Sequence, residues 1–123
     1  MSLSWRVGTL IMAFLTIFVS KGLAAEPGDP ERGKAWFLFG CLACHGETGK
    51  GDGPASKSFN PLPRDLTDAQ YMQGPTVTDD YLFNVIKTGG MAFQKPNMPG
   101  WGHLMKDEEI WNVIAYIRTL VMK

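Results

Sequence analysis

The sequence has little cysteine, no excess of either charge sign and a single long hydrophobic run without a charge. Two cysteines among 123 residues exclude a four-thiolate zinc or iron–sulfur centre built by this chain alone. Twelve basic residues against twelve acidic ones leave no bulk charge to draw the chain to nucleic acid. A hydrophobic content of 45% excludes a disordered chain. The length therefore suits one small globular domain.

Glycine and proline, in contrast, are plentiful, with 14 and 8 residues respectively. This content predicts a loop-rich fold whose loops need something besides helix packing to hold them. The stretch 46–77 shows neither helical nor strand patterning. Segments that long without regular structure are uncommon unless they are disordered or wrap a ligand.

The hydrophobic run lies near the start of the chain. Arg6 precedes the 13-residue uncharged run 7–19, and small residues follow at 22–25. A helix of that length spans about 20 Å, which is short of a roughly 30 Å hydrocarbon core. We therefore predict a secretory signal peptide over 1–25, a mature domain over 26–123 and a periplasmic location. The alternative is an uncleaved N-terminal membrane anchor, which also places the domain outside the cytoplasm.

Capping residues and hydrophobic periodicity predict three helices. The first begins at the N-cap Asp29 and ends at Gly40, and the second, capped by Thr78, covers 79–88. The third begins at Asp107, and its apolar positions recur at three- and four-residue steps. These positions are Ile110, Val113, Ile114, Ile117 and Leu120. No strand pattern of useful length is present, so we predict an all-α fold.

A Cys-x-x-Cys-His motif, formed by Cys41, Cys44 and His45, follows directly on the first helix. This spacing is typical of c-type haem attachment. The two thiols can add to the two vinyl groups of one haem, and the adjacent imidazole can bind the iron from below. The motif therefore predicts one haem c, covalently attached through two thioethers.

Two other functions of the motif are disfavoured. A thioredoxin-like dithiol needs a βαβ setting, and no strand precedes this motif. A zinc site needs two further ligands, and His103 is the only other histidine.

Met98 is the predicted second axial ligand. It stands between Pro96 and Pro99, and the flanking prolines keep this segment extended, so that one side chain can cross a haem face. A thioether is a soft ligand, and pairing with histidine raises the reduction potential. Met91 is the alternative thioether, and His103 or an open site are the remaining ones.

These residues together resemble the class I c-type cytochromes, specifically short monohaem domains related to cytochrome c6 and to the haem subunits of cbb3-type oxidases. The resemblance covers nearly all of residues 28–121. Besides the haem motif it rests on Gly33, Phe37, Gly46–Ala55, Pro63–Thr67, Met98–Gly102, Asp107–Trp111 and Ala115–Ile117. It implies a cytochrome c fold, in which three main helices and long loops wrap one covalently attached haem. It also implies that the first and last helices cross near Gly33, Phe37 and Tyr116.

Three further contacts to the cofactor site are expected. The resemblance implies that the carbonyl of Pro54 accepts a hydrogen bond from the unligated nitrogen of His45. Arg64 and Trp101 offer N–H groups to haem propionates, because both flank the loops expected to wrap the haem. The alternative for Arg64 is a surface salt bridge with Asp65 or Asp68.

These features predict an exported electron carrier rather than an enzyme. Two filled axial positions would leave no site for a small-molecule substrate, and the partners would be redox proteins bound transiently. Five lysines could steer an acidic partner: Lys34, Lys50, Lys57, Lys87 and Lys95. The alternatives are a haem c subunit bound permanently to a larger membrane oxidoreductase, and an open-site haem enzyme or sensor.

Overall fold

The computed structural model describes residues 28–121, so the predicted signal peptide lies outside the described residues. Five α-helices form the scaffold: α1 (Pro30–Gly40), α2 (Leu42–His45), α3 (Ala69–Met72), α4 (Asp79–Thr88) and α5 (Asp107–Leu120). Single 3-10 turns lie at Ser56–Ser58 and Met91–Phe93. The described range contains no strand, which confirms the all-α prediction. Within the same range, no helix is both long and apolar enough to cross a membrane.

The three predicted helices are α1, α4 and α5. Asp29 caps α1, because its side chain accepts hydrogen bonds from the N–H groups of Glu31 at 2.9 Å and Arg32 at 3.3 Å. The hydroxyl of Thr78 caps α4 by accepting from the N–H of Tyr81 at 3.1 Å. Local capping chemistry thus sets where both helices begin.

The one-turn helices α2 and α3 have no counterpart in the sequence prediction. Each has four residues, which is too short for a hydrophobic period to be visible. The turn α2 carries Cys44 and His45, and it follows α1 after the single residue Cys41. The haem motif is therefore helical and is held directly by the end of α1.

The first and last helices cross as expected, at very short range. A Cβ atom added to Gly33 would lie 1.8 Å from the carbonyl oxygen of Asn112, so only glycine permits this approach of α1 to α5. The rings of Phe37 and Tyr116 pack beside it with centroids 5.2 Å apart. The N–H of Asp29 also donates to the side-chain oxygen of the buried Asn112 at 2.7 Å.

The predicted apolar face of α5 forms the centre of the hydrophobic core. The half-buried Trp111 of α5 stacks on Phe83 of α4, with ring centroids 4.5 Å apart. Met72 and Met105 are buried in the same core.

Arg118 of α5 fastens the end of α3 and the start of α4. Its guanidinium forms an ion pair with Asp79 at 2.7 Å and donates to the carbonyl oxygens of Val77 at 2.7 Å and Met72. This one side chain joins α5 to the end of α3 and to the start of α4, so α5 contacts both of these helices as well as α1.

Candidate haem site

A cavity of about 330 Å³ opens between the haem motif, the loop 59–66, α4 and the loop 93–99. Four residues singled out in the sequence line it together: Cys41, Cys44, His45 and Met98. Most of the remaining wall is apolar. Its apolar side chains include Phe37, Phe59, Leu62, Leu66, Met72, Leu82, Val85, Ile86 and Ile117. The fold therefore brings the motif and the distant methionine to one apolar space.

Both cysteines carry free thiols. Burial, and to a smaller extent the neighbouring Cys44, raise the pKa of the Cys41 thiol to about 12. Residues 28–121 contain no group of three or more His, Cys, Asp or Glu side chains that could hold a metal ion. The zinc alternative thus lacks its further ligands within this range.

The ring of His45 is fixed by the backbone of a distant loop. Its Nδ1 lies 2.9 Å from the carbonyl oxygen of Arg64. A carbonyl oxygen only accepts hydrogen bonds, so Nδ1 carries the proton and Nε2 keeps a free lone pair. Burial lowers the pKa of His45 more than this hydrogen bond raises it, which favours the neutral ring. A neutral imidazole with a free Nε2 is the form that binds a metal.

The acceptor expected for His45 was the carbonyl of Pro54, and that expectation is wrong. Pro54 is exposed, and the residues on either side of it donate their N–H groups to carbonyls of the haem motif at 3.1 and 2.8 Å. Gly51 instead brings Arg64 into place. It has a φ of +79°, and a Cβ atom there would lie 2.4 Å from the carbonyl oxygen of Pro63.

A short, closed turn presents Met98 to the cavity. The N–H of Met98 donates to the carbonyl of Lys95 at 3.0 Å, and its own carbonyl accepts from Gly90 at 2.9 Å. Among the alternative ligands, Met91 is 75% exposed and lies outside the cavity wall. His103 is exposed and also lies outside it.

Four polar side chains line one part of the cavity. The guanidinium of Arg64 lies 4.1 Å from the ring centre of Tyr71, and Nζ of Lys95 donates to the hydroxyl of Tyr81 at 2.8 Å. Within the described part of the chain Arg64 forms no ion pair, so the salt bridge with a neighbouring aspartate is not formed. Arg64 therefore keeps its charge available at the cavity.

Sequence reasoning missed three of these four residues: Tyr71, Tyr81 and Lys95. From the sequence, Lys95 was named only among the lysines that could steer an acidic partner. Its position three residues before Met98 already indicated a place near the cavity. The two tyrosines come from α3 and α4, and nothing in the local sequence indicates that these helices meet at one cavity.

Trp101, an expected propionate donor, does not reach the cavity. Its backbone N–H donates to the carbonyl of Ile86 at 2.8 Å, which fixes the segment that follows the methionine turn. The ring lies against Gly40 of α1, where an added Cβ atom would be 2.7 Å from the ring edge. Trp101 packs against the end of α1 instead of lining the site.

Comparisons with known proteins identify the family and the fold of the chain. The profile of the family described as cytochrome C oxidase, cbb3-type, subunit III matches residues 28–117. A search of curated proteins gives no match.

Solved structures with the same fold include a chain of the Kuenenia stuttgartiensis reducing HAO-like protein complex Kustc0457/Kustc0458, with a TM-score of 0.62 and 24% identity. That alignment covers 79% of this chain and 48% of the other, so this chain spans about half of its length. A second is the KustC0563 c-type cytochrome, with a TM-score of 0.58, 19% identity and coverage of 72% and 95%. The chain belongs to the cbb3-type cytochrome c oxidase subunit III family, and its domain is a class I c-type cytochrome with an all-α cytochrome c fold.

Proposed function

We propose that this domain is an exported electron-transfer cytochrome that holds one haem c. Cys41 and Cys44 would form the two thioether bonds, and His45 and Met98 would be the axial ligands. The observation that carries the proposal is the meeting of these four side chains on the wall of one apolar cavity.

The donor set and the cavity wall fit this cofactor. Two free thiols and a neutral imidazole come from one short segment, and a soft thioether comes from another. The apolar wall can pack against the flat haem macrocycle, and the guanidinium of Arg64 can donate hydrogen bonds to the haem propionates. Haem c, when bound, supplies one-electron exchange between Fe(III) and Fe(II).

The residues of the chain tune that chemistry. The hydrogen bond from His45 to the Arg64 carbonyl orients the ring and makes Nε2 a stronger donor. As a ligand, the thioether of Met98 would favour the reduced state and so raise the reduction potential. If His45 and Met98 both held the haem iron, no position would remain there for a small-molecule substrate. The chemistry is then electron transfer without catalysis, between redox protein partners bound transiently.

One surface favours a second candidate, a permanent subunit of a larger membrane oxidoreductase. Ala35, Trp36, Phe39 and Leu104 form an open apolar groove outside the cofactor cavity. Phe39 is 73% exposed and Leu104 is 54% exposed. Large exposed apolar groups are typical of surfaces that another protein covers. Purification of the native protein under mild conditions separates the two candidates, because a permanent subunit leaves the column in a fixed ratio with a partner.

Replacement of Met98 tests the axial ligand. In the haem-loaded Met98→Ala variant we expect loss of the weak far-red sulfur-to-iron band of the oxidised protein, a lower potential and a spectral shift of the reduced protein with carbon monoxide. Visible spectra and a potentiometric titration measure all three.

Met91→Ala is the matched control, because Met91 lies outside the cavity wall. It should retain the band, the potential and the inertness to carbon monoxide. A Met98→Ala protein with an unchanged band and potential would contradict the proposed ligand, and the same losses in Met91→Ala would transfer the role to Met91.

A further inference from the structure

Two side chains of the loop that presents Met98 contact Tyr81 of α4. Nζ of Lys95 donates to the hydroxyl of Tyr81 at 2.8 Å and to the carbonyl of Phe93 at 3.3 Å. The ring of Phe93 meets the ring of Tyr81 edge to face, with centroids 5.3 Å apart. One tyrosine of α4 thus receives both the cation and the aromatic ring of the loop.

Movement of Lys95 must reach Met98, because a tight backbone turn links them. Lys95 donates its N–H to Gly90 at 2.8 Å, and Gly90 donates to the carbonyl of Met98 at 2.9 Å. A Cβ atom on Gly90 would lie 2.2 Å from the Lys95 carbonyl oxygen and 2.9 Å from Cβ of Met98. Gly90 therefore permits the close packing of this turn, and its two hydrogen bonds tie Lys95 to Met98.

The other side-chain contact of the turn is weaker. Asn97 donates to the carbonyl of Asn60 at 3.1 Å in an exposed position, where water competes for both groups. The contact of Lys95 with Tyr81 is partly buried and involves a charge, and such hydrogen bonds are about twice as strong as neutral ones.

We propose that Tyr81 is a positioning residue that acts through Lys95 to keep the turn closed and Met98 at the cavity wall. The proposal rests on the function proposed above, since it concerns how long Met98 stays in place as the ligand. Removal of a charge-assisted hydrogen bond raises the population of the open turn by about tenfold or more.

Imidazole binding to the oxidised, haem-loaded protein measures that population, because imidazole enters only when Met98 has left. Apparent affinity is proportional to the open fraction, so Tyr81→Phe should bind imidazole about tenfold more tightly than the wild type. The phenyl ring keeps the packing on Phe93, so the variant is expected to fold. Asn84→Ala, on the exposed side of the same helix, is the control and should leave the affinity unchanged.

Two variants of Lys95 separate this role from general packing. Lys95→Arg keeps a cationic donor and should retain most of the wild-type affinity, whereas Lys95→Leu should match Tyr81→Phe. Because the two residues act on each other, Tyr81→Phe combined with Lys95→Leu should bind imidazole no more tightly than either single variant.

Two results overturn the inference in distinguishable ways. A wild-type protein without the far-red band defeats the proposed ligand and this inference with it. A wild-type protein with the band, together with unchanged affinity in Tyr81→Phe or additive effects in the double variant, defeats the inference alone.

Discussion

The crossing of α1 and α5 and the loops around the cavity are held together by different kinds of contact. At the crossing, backbone meets backbone at Gly33 and Asn112, and buried aromatic rings pack beside them. Around the cavity, apolar side chains face the cavity space, and single hydrogen bonds such as that between His45 and Arg64 hold the segments. At the crossing, protein atoms fill the contact, whereas the loops surround a cavity that we expect a large apolar ligand to fill. Stability should therefore depend on the cofactor in one region and not in the other.

The largest expected effect comes from removing both attachment points. The Cys41→Ser, Cys44→Ser double variant should lose stable tertiary structure, because short helices alone cannot enclose the loops. We expect the near-UV circular dichroism signal to vanish and amides in 46–77 to exchange freely, with part of the far-UV helical signal retained. Ala43→Ser, between the two cysteines, is the control and should behave as the wild type. Native-like near-UV dichroism in the double variant would show that the loops do not need the cofactor.

The second largest effect is expected at the crossing of α1 and α5, where Gly33 permits the close approach of the two helices. In Gly33→Ala the new Cβ atom meets the Asn112 carbonyl, so α1 and α5 must separate. We expect the free energy of unfolding to fall by about 3 kcal/mol, the upper part of the range for overpacked cores. The far-red band should persist in the folded fraction. Chemical denaturation of the haem-loaded protein measures the change, with the exposed neighbour Lys34→Ala as control. A stability equal to that of the wild type would mean that the crossing is not tight.

The smallest expected effect is a change in the pKa of Asp65, which hydrogen-bonds Thr67 at the end of the loop 59–66. The hydroxyl of Thr67 donates to the carboxylate of Asp65 at 2.7 Å, and this hydrogen bond lowers the pKa of Asp65. A carboxyl group with a lowered pKa stabilises the fold at neutral pH, and that contribution is lost as the pH falls through its folded-state pKa. Thr67→Val should raise the pKa of Asp65 towards its ordinary value. Carboxyl chemical shifts in an NMR titration measure it, and an unchanged pKa would assign the shift to the backbone N–H groups of Thr67 and Asp68 and to the charge of Lys50.

Local chemistry explains which parts of the fold were predictable. Asp29 and Thr78 cap their helices through neighbouring N–H groups, so the start of α1 and of α4 can be predicted without tertiary information. The helix α2 has no side-chain cap, and although Asp68 caps α3, both helices have only four residues, too few for a hydrophobic period to be visible.

The same distinction applies to the site. Cys41, Cys44 and His45 are recognisable because they are adjacent in the sequence, and Met98 because prolines flank it. The acceptor for His45 was wrong because the family resemblance pointed to Pro54, whereas in this chain Gly51 allows the loop that carries Arg64 to approach. Contacts between distant segments depend on such backbone approaches, which composition and spacing do not show.

The crossing of the two terminal helices also sets the order in which the chain can assemble. The hydrogen bond from Asp29 to Asn112 joins residues 83 positions apart, nearly the whole described chain. The entropy lost on closing a loop grows with its length, and folds rich in such long-range contacts reach their native state slowly. The contact that joins the two ends of the described chain is thus one of the hardest to form during folding. We expect the joining of α1 and α5 to limit the folding rate, after the local helical turns have formed.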